Sequence, residues 1–244
     1  MKKLTIYSLF ILFILLIGHS NKAQSQELLV GIEFDLGAPQ GEFSDQLDKL
    51  GWGFNVMGGY RFGDTPFMLG LEFGFMNFGR DVRDAPLSTT IPDLRVEVEN
   101  SYNLLHGDLF VRLIQPPATV RPYVEGLVGF NYFYTETSLR NRNAISGEDV
   151  LRDTNFEDTS LSYGFGAGVQ FRLYRDRSTE RAPDEILPSG VYLTLASRYM
   201  FGREAEYLQE GSIDVNTQTG EVFYDVSRSE TNLLYFKLGV AISF

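Results

Sequence analysis

Apolar residues alternate with polar or small residues along most of the chain, in segments of about ten residues separated by turn-forming residues. In the clearest segment, 161–173, every odd position is apolar or aromatic, while the even positions hold Ser, Gly, Gln and Arg. Successive side chains of a β-strand point to opposite faces, so each segment predicts a strand with one apolar face. Eight strands are predicted in this way, at residues 29–37, 51–61, 67–76, 104–113, 123–134, 161–173, 191–201 and 232–244.

The connections between the predicted strands differ in length. The second and fourth are short turns that contain Pro66 and Pro116, whereas the odd-numbered connections are long and polar. Transmembrane barrels have this arrangement, with short periplasmic turns and long outer loops. The sixth connection, 175–189, is long and charged, and we predict a mobile periplasmic flap there. Alternation within 94–99 and 213–226 predicts that two long connections continue as strands beyond the membrane.

Volume and residue choice predict that the apolar face points outward. A soluble barrel that binds a ligand would show the same alternation with its apolar residues inside. Roughly five bulky side chains on each of eight strands exceed what an eight-stranded lumen can hold. Glycine is frequent on the polar face, where a crowded interior would favour it. The sequence therefore predicts a barrel whose outer surface contacts lipid.

The inward face carries acidic and basic residues in equal number, which indicates mutual pairing. Buried charges are tolerated only with partners and hydrogen bonds, so we expect a network of ion pairs that plugs the lumen. A path for protons or ions is the alternative. The acids are Glu33, Asp35, Glu72, Asp108 and Glu125, and the bases are Arg61, Arg112, Arg172, Arg198 and Lys237.

The first 25 residues have the composition of a secretory signal peptide. Lys2 and Lys3 precede an uncharged run that ends at Gly18, and small residues surround the expected cleavage site near Ser25. The run is short for a membrane span, and a retained anchor helix is the alternative. We therefore expect a signal peptide at 1–25 and one mature barrel domain at 26–244.

The acidic charge balance and the lack of Cys exclude several classes of function. Removal of the three signal-peptide lysines changes the formal net charge from −11 to −14, so nucleic acid should repel the mature chain. Without Cys, the chain cannot form a disulfide, a catalytic thiolate or a Cys-ligated metal site. A lipoprotein anchored through Cys is excluded for the same reason.

His106 is the only histidine of the predicted mature chain and the first candidate for catalysis. A hydrolase needs a nucleophile within reach of its base, but no Ser lies two residues beyond His106. A metal site with one His is a weak prediction, and the Gly-rich run 164–168 lacks the Lys of a phosphate loop. We predict a packed His106, with no catalytic residue, no metal and no cofactor.

The long connections are rich in acidic residues. One hypothesis is that their carboxylates bind divalent cations that bridge the protein to anionic lipopolysaccharide, and a solvated repulsive surface is the alternative. The acids are Asp81, Asp84, Asp93, Glu97, Glu99, Glu148, Asp149, Asp153, Glu157, Asp158, Glu204, Glu206, Glu210, Asp214 and Glu221.

The last predicted strand maintains its alternation up to the aromatic residue that ends the sequence. Its residues Lys237, Gly239, Ile242 and Phe244 resemble the assembly signal of bacterial outer-membrane β-barrels. Across the predicted mature chain, the sequence is similar to the OmpA/OmpX-like superfamily. The resemblance implies an all-β, eight-stranded antiparallel up-and-down transmembrane barrel, monomeric, placed among lipid and lipopolysaccharide by the barrel-assembly machinery.

We expect a non-enzymatic outer-membrane protein with a structural or adhesion function. Its features would be a plugged polar lumen and long acidic extracellular loops, and no domain for binding peptidoglycan is expected. One alternative is a narrow porin-like channel, although the inward charges argue against the apolar lumen of an OmpW-like channel. The other alternative is an outer-membrane enzyme that modifies lipids.

Overall fold

This computed structural model describes residues 26–63, 65–86, 95–141, 149–176, 188–215 and 222–244. The predicted signal peptide and most of the predicted periplasmic flap lie outside these residues. The elements are β1 (Glu27–Pro39), α1 (Glu42–Gln46), β2 (Gly51–Arg61), β3 (Phe67–Pro86), β4 (Arg95–Ile114), β5 (Val120–Asn141), β6 (Asp149–Arg175), β7 (Gly190–Gly202), β8 (Glu204–Tyr207), β9 (Ile213–Val215), β10 (Val222–Tyr224), β11 (Ser227–Glu230) and β12 (Leu233–Ser243).

Eight of these strands form a closed antiparallel barrel in the order β1-β12-β7-β6-β5-β4-β3-β2. Closure is made by β1 and β12, whose register places Ile32 opposite Val240. A closed barrel has no unpaired sheet edge, so every barrel strand has a partner on both sides. The predicted all-β, eight-stranded antiparallel up-and-down barrel is confirmed.

The apolar faces point outward, as predicted. Phe73, Phe165 and Phe236 are each more than half exposed, at 55%, 62% and 51%. Inside the barrel, Arg61 and Arg198 are only 1% and 2% exposed. The outer surface is thus a continuous apolar band, while charged side chains occupy the interior.

Glycines on the inward faces make room for these large polar side chains. Gly74 lies opposite His106 in the β3–β4 register, and a Cβ at Gly74 would lie 2.1 Å from His106 Nε2. Gly166 lies opposite Arg198, and a Cβ there would lie 2.6 Å from Arg198 Cγ. The inward glycines therefore fit a crowded interior.

Strands β3 to β6 are longer than the other barrel strands and extend beyond the barrel at one end. They contain 20, 20, 22 and 27 residues, against 11 in β2 and β12. The predicted strand at 94–99 is confirmed from Arg95 onward, where β4 begins, and Leu94 lies outside the described residues. The third connection, residues 138–159, is predicted to be long and polar, but β5 and β6 include most of it. Most residues of that extension are polar and its few apolar residues do not alternate regularly, so apolar alternation could not reveal it.

The last long connection forms two small antiparallel sheets outside the barrel. One pairs β8 with β11, and the other pairs β9 with β10. The alternation within 213–226 thus corresponds to the β9–β10 hairpin, whose turn lies outside the described residues.

The first long connection contains α1, which the sequence did not predict. Gly41 precedes the helix with a positive φ of 59°, and the helix places Phe43 at zero exposure. Among the described residues, no helix combines the length and hydrophobicity needed to cross a bilayer.

Candidate functional site in the barrel lumen

Glu72 on β3 is the centre of an ion-pair network in the middle of the barrel. Arg198 on β7 donates from Nη1 to both carboxylate oxygens of Glu72, at 2.6 and 2.7 Å. Lys237 on β12 donates to Glu72 Oε1 at 2.7 Å. These three side chains come from three different strands and are fully buried, so they connect opposite walls.

The network continues through Glu125 on β5. Glu125 accepts hydrogen bonds from Arg198 Nε at 2.5 Å and from Arg112 Nε at 2.9 Å. The Arg112 guanidinium also lies 4.0 Å from the centre of the Tyr123 ring, a favourable cation–π distance. Arg112, Glu125, Arg198, Glu72 and Lys237 thus form one chain of alternating charges.

Asp35 and His106 border this chain on the β1 and β4 walls. Asp35 accepts hydrogen bonds from Lys237 Nζ at 2.9 Å and from Asn55 Nδ2 at 2.8 Å. His106 Nδ1 lies 2.9 Å from Asp108 Oδ2. His106 Nε2 lies 3.9 Å from Asp35 Oδ2 and has no hydrogen-bond partner.

A second buried cluster lies at the end of the barrel that carries the short turns. Glu27 accepts from Arg61 Nε at 3.0 Å and from Arg121 Nη1 and Nη2, both at 2.8 Å. Neither Glu27 nor Arg121 is among the predicted lumen residues, because each lies two positions before the predicted start of its strand, at Leu29 and Tyr123. Extension of the alternation by one inward position would have found them, since Glu27 is in phase with Leu29 and Arg121 with Tyr123.

The structure brings together most of the residues proposed for the lumen network. Glu33 joins it 3.7 Å from Lys237 Nζ, whereas Arg61 belongs to the cluster at the short-turn end. Arg172 lies apart from both groups. It is half-buried beside a register shift near the end of the β6–β7 pairing, and it donates to Thr119 Oγ1 at 3.1 Å. The phase of β6 alone predicts that Arg172 faces the lumen, but Arg172 lies too near the rim to reach the central carboxylates.

The proposed assembly-signal residues lie on the strand that closes the barrel. Lys237 and Gly239 face inward, and Ile242 and Phe244 face the outer surface. Phe244 exchanges backbone hydrogen bonds with Leu28 on β1, at 2.8 and 3.3 Å. The alternation of inward and outward residues thus continues to the end of β12. Recognition of this strand by an assembly machinery stays a prediction.

Comparison with protein families identifies this fold. Residues 9–176 match the family described as outer membrane protein beta-barrel domain. The chain belongs to this family. It is therefore a β-barrel protein of the bacterial outer membrane. No curated protein sequence matches the chain.

Several solved outer-membrane barrels are similar to this one in fold. Neisserial surface protein A shares 14% identity over 91% of this chain and 98% of its own, with a TM-score of 0.38. The N-terminal barrel domain of Pseudomonas aeruginosa OprF shares 14% identity over 88% and 97%, with a TM-score of 0.36. Ail of Yersinia pestis, solved with the heparin analogue sucrose octasulfate, shares 18% identity over 90% and 97%, with a TM-score of 0.34.

At the end that carries the long connections, an aromatic cluster lies over the lumen of this outer-membrane barrel. We call it the mouth cluster, and it consists of Phe43, Phe78, Phe133 and Tyr207. The Phe43 ring lies edge-on to the other three, with centroids 5.8, 5.9 and 5.1 Å away. The space left between these side chains is about 20 Å³, room for a single water. Burial raises the pKa of Tyr207, although a hydrogen bond with Ser229 opposes this shift.

Several acids of the long connections bind donors within the protein. Glu157 accepts a hydrogen bond from Tyr132, and Glu210 pairs with Lys49. Asp81 accepts from Tyr102 at 3.0 Å and from the Gly211 amide at 2.7 Å. These contacts use carboxylate oxygens that the hypothesised bridging cations would need. The side chains of Asp84, Asp93, Glu97, Glu148, Asp149, Asp153, Asp214 and Glu221 lie outside the described part of the structure.

Proposed function

We propose that this protein is a closed, non-catalytic barrel that supports the outer membrane and presents its protruding strands for adhesion. The observation that carries this proposal is the chain of buried ion pairs from Arg112 to Lys237, which crosses the middle of the lumen.

Opening the lumen would require buried ion pairs to separate. Removal of one partner from such a pair costs about 3–5 kcal/mol, because the remaining charge stays buried and uncompensated. Glu72 and Glu125 each have two basic partners, so a pore through the centre would break several contacts at once. The mouth cluster adds a second, apolar barrier at the end with the long connections. Both features favour a plugged lumen over a narrow channel.

The β9–β10 hairpin is the part of the protruding region that best fits a binding surface. Val222, Phe223 and Tyr224 on β10 are 45%, 56% and 44% exposed. Exposed apolar patches on surface elements commonly mark sites of interaction, and free strand edges can pair with a partner strand. An adhesion function therefore has a physical basis in this hairpin.

The surroundings of His106 favour a non-catalytic barrel over a lipid-modifying enzyme. Nδ1 contacts Asp108, and Nε2 faces Asp35. A hydrolytic base must reach the hydroxyl of a nucleophile, but the described neighbours of both ring nitrogens are carboxylates.

The proposed function also requires export of the chain and its insertion into the outer membrane. Residues 1–25 would act as a signal peptide, and β12 would be read by the barrel-assembly machinery. The barrel would then reside as a monomer among outer-membrane lipid and lipopolysaccharide. Its outward aliphatic and aromatic residues support contact with the hydrocarbon region.

Planar-bilayer recording of the refolded full mature chain tests the proposed closure. We expect no discrete conductance steps, although a general-diffusion porin inserted under the same conditions should conduct. Slower migration on gels after boiling would verify that the barrel folded in the same preparation. Reproducible single-channel steps from the folded wild-type protein would contradict the proposal and favour the narrow channel.

A further inference from the structure

Three side chains of types that can bind a metal converge in the middle of the lumen. Asp35 on β1, Glu72 on β3 and His106 on β4 are all buried, and each offers a ligand atom within 4.8 Å of the other two. Carboxylate oxygen and imidazole nitrogen are both ligands of divalent transition metals such as Zn²⁺. The three residues lie on three different strands, β1, β3 and β4, so no local sequence motif reveals that they converge.

The orientation of His106 is that of a metal ligand. Nδ1 lies 2.9 Å from Asp108 Oδ2 and can donate its proton there, which leaves the lone pair of Nε2 free. Nε2 is buried without a hydrogen-bond partner and lies 3.9 Å from Asp35 Oδ2. A carboxylate that orients a histidine through its other nitrogen is a recurrent feature of metal sites. Gly74 leaves the space that the imidazole needs.

The two carboxylate ligands are held by further contacts. Asn55 Nδ2 lies 2.8 Å from both oxygens of Asp35, and Arg198 binds both oxygens of Glu72. Such contacts fix ligand geometry and are part of functional metal sites.

The charge of the central network also favours a bound cation. Five buried carboxylates, those of Glu33, Asp35, Glu72, Asp108 and Glu125, face the buried cations of Arg112, Arg198 and Lys237. With neutral His106, the network has two more negative than positive charges, and one divalent cation would balance them. An uncompensated buried charge is costly, so this excess gives the site a reason to bind metal.

Lys237 is the internal competitor for this site. Its ammonium group lies 2.9 Å from Asp35 Oδ2 and 2.7 Å from Glu72 Oε1, so it contacts both carboxylates of the proposed site. A metal must therefore displace the ammonium group, which should weaken binding.

We propose that Asp35, Glu72 and His106 form a lumenal site for a divalent transition metal, with Asp108 as a positioning residue and Lys237 as a competing cation. The metal would enter while the barrel folds, since the closed lumen limits later access. Bound metal would join β1, β3 and β4. The proposal does not depend on the adhesion function.

Zinc content after refolding tests the site. The full mature wild-type chain and its Lys237→Met variant are refolded with Zn²⁺, treated with a chelator and analysed by atomic emission. We expect about one retained Zn²⁺ per chain in Lys237→Met, as for a single ligated site, and weaker retention in the wild type. His106→Gln and Asp35→Asn, each added to Lys237→Met, should abolish retention. Asp108→Asn should lower zinc affinity by about 10–100-fold, the usual effect of losing a ligand-orienting carboxylate.

Glu27→Gln in the Lys237→Met background is the matched control, because it removes a buried lumen carboxylate at the short-turn end. It should retain zinc. Slower gel migration after boiling establishes that each variant folded, and Asp35→Asn keeps the test available if His106→Gln does not fold. The proposal is refuted if Lys237→Met retains no zinc, or if folded His106→Gln and Asp35→Asn retain as much as their parent. The second result would assign the zinc to the acidic connections.

Discussion

Replacement of Arg198 by Met should destabilise the barrel strongly, because Arg198 joins the two halves of the central network. Its guanidinium donates two hydrogen bonds to Glu72 and one to Glu125. Met has a similar length and keeps much of the packing, so the substitution removes mainly the charge and its donors. Glu72 would keep only Lys237, and Glu125 would keep only Arg112.

The expected magnitude follows from these contacts. A hydrogen bond to a charged group contributes about 1.5–3 kcal/mol, so three lost bonds set an upper limit of about 9 kcal/mol. The surviving cations lower this value, and disruption of a buried ion pair typically costs about 3–5 kcal/mol. We therefore expect the free energy of unfolding to fall by about 3–5 kcal/mol.

Urea unfolding in lipid vesicles measures this loss, with the fluorescence of Trp52 as the signal. Trp52 is the only tryptophan and lies on the outer face at 47% exposure, so its emission should change when it leaves lipid. Arg228→Met is the matched control, because Arg228 pairs with Glu204 on the exposed β8–β11 sheet. Exposed pairs contribute about 0–1 kcal/mol. A loss for Arg198→Met no larger than that of the control would refute the network as a stabilising element.

Two further substitutions and one quenching experiment test other parts of the structure. Phe43→Ala should cost about 3 kcal/mol in urea unfolding, since a fully buried Phe leaves a cavity, whereas Leu50→Ala at 64% exposure should cost little. Equal effects would show that the mouth cluster is not packed. Gly74→Ala should lower stability by about 1–3 kcal/mol, because its Cβ would overlap the His106 ring, while Gly58→Ala meets no atom within 4 Å and should be neutral. The same stability for both variants would contradict the close approach. Lipids brominated on their acyl chains should quench Trp52 strongly, and unquenched fluorescence would mean that the apolar face does not contact lipid.

The barrel was predictable from the sequence because one simple physical constraint acts along every strand. Lipid outside and charge inside require apolar residues at every second position, as in 161–173, and strand β6 follows that pattern. Segments beyond the lipid-facing part of the barrel are not under this constraint, so the sequence pattern did not predict them. The extension of β5 and β6 is mostly polar with no regular apolar alternation, and α1 is only five residues long, so neither produces a periodic apolar signal.

The lumen network was predictable in composition but not in pairing. Phase alone indicates that Glu72, Glu125 and Arg198 face inward, because each lies on the polar side of its strand. Which residues meet depends on strand register and on side-chain reach across the barrel. Arg172 lies on the polar side of its strand but is located at the rim of the barrel. Glu27 was not predicted, although it accepts hydrogen bonds from both Arg61 and Arg121. The convergence of His106 with two carboxylates likewise depends on register.

Closure of the lumen can be tested most directly by the reactivity of a single buried cysteine. The chain has no native Cys, and Ser162 faces inward at 1% exposure, so Ser162→Cys places a small reporter inside the barrel. Thr154→Cys, at an exposed position of β6 beyond the barrel, is the control. In folded protein in vesicles, a charged water-soluble thiol reagent should label Thr154→Cys rapidly and leave Ser162→Cys unmodified until urea is added. Comparable labelling of both cysteines in the folded protein would show that water and ions reach the lumen, and would contradict the closed barrel.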